Sequence, residues 1–159
     1  MTGGLRLCRF CCALLLSAAA ITPALAVNID LNGCVSSDSK PSQRIDLCTQ
    51  VIESGEYAGS KLAWAYVNRG SAYGESGQPD KAIVDFNEAL RLSPNYATAL
   101  ADRGIAYSQQ GQSERAMQDL NAALSSSPDL DWVLSSRGCV YAGLGQYQRA
   151  VQDYDAALS

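Results

Sequence analysis

The chain has 159 residues, with 12 Lys and Arg against 16 Asp and Glu, and no histidine. A net charge of −4 without any clustering of basic residues argues against a nucleic-acid partner and against an anionic membrane surface. The lack of histidine removes the commonest general base and the commonest metal ligand together, so no metal, cofactor or catalytic role is expected.

Residues 1–26 carry Arg6 and Arg9, then an apolar run from Phe10 to Ile21, then the small-x-small sequence Ala24-Leu25-Ala26. This is the order of a secretory signal peptide cleaved before Val27. The apolar run is too short to span a bilayer comfortably, so no stable membrane insertion is expected once it is removed. Loss of Arg6 and Arg9 leaves 10 basic against 16 acidic residues, a net of −6. The expected location is secreted or periplasmic, where disulfides persist. Three cysteines remain. Cys34 and Cys48 are close in sequence and are expected to be bonded, closing a short loop worth about 3 kcal/mol. Cys139 is left over, and a buried small residue is the expected reading, with a reactive thiol as the alternative.

Residues 27–40 are polar and aperiodic and read as an irregular lead-in, ordered only from Cys34 onward. Pro41 to Glu53 is the first helical stretch, with Ile45, Cys48, Val51 and Ile52 at helical spacing and Pro41 suited to a first turn. It aligns with Pro79 to Leu90, pairing Pro41 with Pro79, Ile45 with Ile83, Cys48 with Phe86 and Ile52 with Leu90. Residues 41–62 therefore read as a half repeat that caps the array, ended by Gly55.

From residue 63 one pattern recurs every 34 residues: Arg69-Gly70-x-x-Tyr73, Arg103-Gly104-x-x-Tyr107 and Arg137-Gly138-x-x-Tyr141. Gly77-Gln78, Gly111-Gln112 and Gly145-Gln146 repeat in step, as do Ala82, Ala116 and Ala150, then Asp85, Asp119 and Asp153, then Ala89, Ala123 and Ala157. A fixed period of this length means paired helices stacked in a row. The units are 63–96, 97–130 and an incomplete 131–159. Their helices are expected at Lys61–Glu75, Pro79–Leu92, Tyr96–Gln110, Ser113–Ser125, Leu130–Leu144 and Tyr147–Leu158. A glycine inside a helix costs about 1 kcal/mol against alanine. Gly70, Gly104 and Gly138 must therefore mark close helix crossings, with Ala82, Ala116 and Ala150 as the expected small partners. Arg69, Arg103 and Arg137 precede Asp85, Asp119 and Asp153 by 16 residues each, which reads as an ion pair between the two helices of a unit rather than a basic ladder for an acidic partner.

Gly-x-x-Tyr, then Ala, an aromatic, Ala and Pro at this period resembles the tetratricopeptide repeat, in wording close to exported bacterial members. The resemblance implies an all-α fold, a right-handed superhelical stack of antiparallel helix pairs with three repeats and an N-terminal half repeat. It further implies a non-catalytic scaffold that holds a protein or peptide in a concave groove lined by the first helix of each pair. The implied lining is Trp64, Val67, Ser71 and Glu75, then Thr98, Ala101, Asp102, Ile105 and Gln109, then Trp132, Ser135, Ser136 and Cys139. The two tryptophans are candidate anchors, or else they pack on neighbouring helices. One subfamily grips a C-terminal carboxylate with Lys, Arg and Asn. The matching places here hold Val67, Ser71, Ala101, Ile105 and Ser135, so that clamp is not expected. Val151 and Leu158 match residues that should pack on a following unit, and the last helix is expected to pair with a second copy or dock a partner. The alternative function is an accessory subunit of an envelope enzyme or of a secretion or assembly complex.

Overall fold

A computed structural model describes residues 31–159; the expected signal peptide, and the start of the lead-in, lie outside the described residues. Every regular element described is helical: α1 Leu31–Val35, α2 Pro41–Glu53, a 3-10 turn Gly59–Leu62, α3 Ala63–Glu75, α4 Pro79–Leu92, α5 Ala97–Gln109, α6 Ser113–Ser126, α7 Asp131–Gly143 and α8 Tyr147–Ala157. No helix among them is long and apolar enough to cross a membrane. Each packs mainly on the helix before it and the helix after it, with sparser contact between α3 and α5 and between α5 and α7. That serial packing is a helical repeat solenoid, in which no unit hides its own apolar side alone.

The turn inside each unit is built the same way. Gly77, Gly111 and Gly145 take φ of 70°, 73° and 73°. Gln78, Gln112 and Gln146 then donate their backbone N–H to the carbonyls of Tyr73, Tyr107 and Tyr141 at 2.9, 2.8 and 2.9 Å. The left-handed glycine and this long-range bond together make a Schellman end, which satisfies carbonyls the helix would otherwise leave open. Pro79 follows in the first turn of α4, where its missing N–H costs nothing.

The main core runs without a break from Ala63 to Val140 through Phe86, Ala89, Ala99, Leu120, Ala123 and Val133. Close approach occurs at the recurrent glycines, and the nearest atom in each unit belongs to the large residue of the second helix. A Cβ on Gly70 would stand 2.7 Å from the Phe86 ring, and one on Gly138 would stand 2.7 Å from the Tyr154 ring. At Gly104 it would meet Leu120 Cγ at 3.0 Å and the Ala116 carbonyl at 3.1 Å. The glycine thus makes room chiefly for the large residue of the second helix, and in the middle unit for the backbone of Ala116 as well.

The N-terminal end has a separate cluster of Cys34, Cys48, Val51 and Ala65, with Leu47, Ile52, Tyr57, Leu62 and Trp64 against it. Cys34 and Cys48 are disulfide bonded, with Cα atoms 4.9 Å apart. The lead-in is more ordered than its composition suggests: Leu31–Val35 is helical, and the disulfide holds Cys34 fully buried against α2. Five residues are too few to show a period. At the other end, α8 repeats the outward face of α4 and α6. Leu90 and Leu124 are 9% exposed beneath α5 and α7, whereas Leu158 is 87% and Val151 55% exposed.

Candidate binding groove

Two carboxylate settings share this scaffold. The first is the seam between the helices of each unit. Arg69 Nε and Nη2 donate to Asp85 Oδ2 and Oδ1, both at 2.8 Å. Arg103 does the same to Asp119 at 2.7 and 2.9 Å, and Arg137 to Asp153 at 2.8 and 2.7 Å. The paired-charge expectation is met in all three units. Burial opposes each guanidinium charge, yet the hydrogen bond to its aspartate outweighs that and raises the arginine above its ordinary pKa. The third nitrogen adds something the spacing alone did not show. Nη1 reaches back to the preceding unit, Arg69 to Thr49 at 3.0 Å, Arg103 to Asn87 at 2.6 Å and Arg137 to Asn121 at 2.8 Å. One side chain therefore ties three helices, and the bidentate fork fixes its direction. Tyr107 and Tyr141 are each faced by two arginines, Arg103 and Arg115 in one case and Arg137 and Arg149 in the other, at 5.3 to 5.9 Å from the ring centroid.

The second setting lies on the first helices of the pairs, α3, α5 and α7, which contact one another in order along the stack. Between α3 and α5 lies a cavity of about 240 Å³ lined by Ser71, Gly74, Glu75, Ala82, Phe86, Asp102, Ile105, Ala106 and Gln109. Phe86, Ala82 and Ala106 are buried and form an apolar floor. Asp102 Oδ2 lies 2.8 Å from Ser71 Oγ, which also lies 2.9 Å from the Val67 carbonyl oxygen. A hydroxyl has one proton to give, so it satisfies Asp102 or Val67 at any moment. Desolvation is the main influence on Asp102, with the Ser71 hydrogen bond opposing it and the charge of Glu75 adding to it; the carboxyl is raised to about 6. Tyr96, at the entry to α5, is in turn raised by burial and by Asp102. Glu75 has a cation of its own: Arg44 Nη2 of α2 approaches its Oε2 to 2.5 Å. The pair is out of hydrogen-bond alignment, and among the described residues the buried Arg44 Nε meets no acceptor.

The remaining expected lining residues divide. Ser71, Glu75, Asp102, Ile105 and Gln109 come together at the cavity. Val67 and Ala101 do not belong to the surface; they are 4% and 0% exposed and sit in the core, because the stripe one step around the helix faces the neighbouring pair. Thr98 is half-buried, at the start of α5. Trp64 packs edge-on against Tyr57, centroids 6.0 Å apart, and belongs to the N-terminal cluster. Trp132 is 40% exposed on α7. Ser136 donates to the Trp132 carbonyl, Ser135 is half-buried, and Cys139 lies further along the same helix. Cys139 is exposed, which corrects the buried reading; Tyr154 donates its hydroxyl to the sulfur at 3.4 Å, and that bond raises the tyrosine pKa. Arg44 was not among the expected residues. The alignment of Pro41 with Pro79 places it where the array carries Ala82, and that departure is the signal that could have found it.

Among the described residues no group of three or more His, Cys, Asp or Glu side chains is placed to hold a metal ion.

Residues 63–96, 86–118 and 133–159 each match a tetratricopeptide repeat pattern. No curated protein matches the chain. Among solved structures, the crystal structure of MamA is similar over 74% of this chain and 67% of its own, at 26% identity and a TM-score of 0.62. The second repeat domain of Spaghetti (RPAP3), bound to the HSP90 peptide SRMEEVD, is similar over 62% of this chain and 92% of its own, at 23% identity and 0.59. YrrB, described as having an unusual peptide-binding site, is similar over 74% of this chain at 19% identity and 0.61, and this chain spans 59% of it.

Proposed function

The chain belongs to the tetratricopeptide repeat family, and from that premise we propose that it is an exported, non-catalytic scaffold that holds a peptide or protein segment in the groove of α3, α5 and α7. The observation that carries this is the set of side chains left open on the first helices, Asp102, Ile105 and Gln109 on α5 with Trp132 and Cys139 on α7. They offer a preformed surface, so the receptor loses little ordering entropy on binding. RPAP3 and YrrB supply the precedent of peptide binding on this fold. The peptide held by RPAP3 is acidic. Here the cation beside the α3–α5 cavity, Arg44, is already taken by Glu75, so a partner of other chemistry is favoured.

The test is a cross-linking pull-down from periplasmic extract with the full chain. Ile105→Lys and Trp132→Ala are each expected to lower capture of the bound segment about tenfold. A second reading, an accessory subunit of an envelope complex, is favoured by Tyr147 and Val151 on α8 and Leu158 just after it, which are 70%, 55% and 87% exposed. Capture that survives both groove variants but is lost in Val151→Asp selects it over the groove.

A further inference from the structure

We propose that the cavity between α3 and α5 is a subsite for a lysine or arginine side chain of the bound segment, with Asp102 as its counter-charge. The inference rests on the groove reading and adds the chemistry of one contact.

The scaffold itself states the rule that Asp102 breaks. Asp85, Asp119 and Asp153 are withdrawn from solvent, and each is met by a guanidinium fork. Glu75 is half-exposed and has Arg44 beside it as an ion pair rather than a fork. Among the described residues no ion pair includes Asp102, whose neighbour is a serine hydroxyl shared with a backbone carbonyl. A carboxylate partly withdrawn from water without a cation is held at a cost, and a ligand that brings the cation recovers that cost on binding. The cavity has the complementary form. Its Phe86 and Ala82 floor suits a methylene stem, while Asp102, Ser71 and Gln109 offer oxygen acceptors to a head group with three N–H donors. An anionic ligand is disfavoured by Asp102 and Glu75, which both line the cavity.

The test uses the full chain and small probes: N-acetyl-lysine N-methylamide, the arginine counterpart, and the isosteric norleucine amide. Backbone amide shifts are followed by NMR. Saturable shifts at Ser71, Asp102 and Gln109 with the two cationic probes are expected, at least tenfold weaker with norleucine and lost in Asp102→Asn. Equal response to norleucine, no response to any probe, or full response in D102N overturns the subsite. Should D102N fail to fold, the wild-type pH profile decides. The groups facing Asp102 are Ser71 and Glu75 on α3, Arg44 behind Glu75 on α2, and Tyr96 at the entry to α5. With Asp102 near 6, lysine-probe affinity is expected to fall about tenfold from pH 7.5 to 5; a flat profile overturns the proposal. Selection from a displayed peptide library separates the two readings. Peptides that need Trp132 but carry no basic residue sink the subsite and keep the groove. No selected peptide, with the lysine probe still bound, keeps the subsite and sinks the groove.

Discussion

The seam of each repeat buries an aspartate, the wall of the cavity half-buries another, Asp102, and the two settings treat the carboxylate in opposite ways. At the seam, Asp119 receives two nitrogens of Arg103, and the third nitrogen is passed to Asn87 of the preceding unit. In the groove, Asp102 on the same helix as Arg103 receives a shared hydroxyl and the repulsion of Glu75. One turn of α5 thus contributes both to a closed network and to an open one. A closed network sets the register of the stack. An open one holds a charge at a cost in stability, which is the usual mark of a surface kept for something else.

The contrast can be broken most forcefully at the seam. Asp119→Ala strands the Arg103 guanidinium between two units and is expected to cost about 3 to 4 kcal/mol by denaturant unfolding. A loss below about 1 kcal/mol would place the pair among ordinary surface ion pairs. The N-terminal seam depends on the cap, since Arg69 takes its outer acceptor from Thr49 on α2. Removing the bond across the 14-residue separation with Cys34→Ser and Cys48→Ser is expected to cost about 3 kcal/mol, read from melts of the double variant against wild type.

The groove should respond with the other sign. Because the folded-state pKa of Asp102 is raised from 3.8 to about 6, the folded chain holds more protons than the unfolded one between those values. Its contribution is therefore favourable in acid and is lost as pH rises through about 6. Asp102→Asn is expected to gain about 2 kcal/mol over wild type at pH 7.5 and little at pH 4. Parallel stability curves for the two proteins across pH 4 to 7 would show that Asp102 pays no such penalty. The smallest effect expected is at the outer acceptor: Asn121→Leu removes one bond from Arg137 while leaving Asp153 in place, for about 1 kcal/mol by the same unfolding assay.

Much of the architecture was legible in the linear chain. From α2 onward helix ends were placed to within two residues, because glycine, proline and the Tyr73-type carbonyl act within six residues of one another, whereas α1 and the 3-10 turn at Gly59–Leu62 were not foreseen. The Arg–Asp seam was legible because both partners carry the period. The groove was harder to read. Val67 and Ala101 are as close to the lining stripe in sequence as Ser71 and Ile105, and only packing separates a core position from a surface one. Trp64 and Trp132 occupy equivalent places 68 residues apart, yet one is covered by the cap with Tyr57 and the other is open. Arg44 reads as a departure from alanine, but its bond to Glu75, 31 residues on, does not appear in any local pattern.

Period, helix pairing, turn chemistry and the seam follow from contacts that recur with the repeat, and a recurring contact is visible wherever its residues recur. The solitary state of Asp102 follows from who does not approach it. That depends on Ser71 and Glu75 from α3, Arg44 of α2 beside Glu75, and a cavity floor supplied chiefly by Ala82 and Phe86 of α4. Such an arrangement has no period, because electrostatic isolation is set by distances across the stack and by the water they exclude.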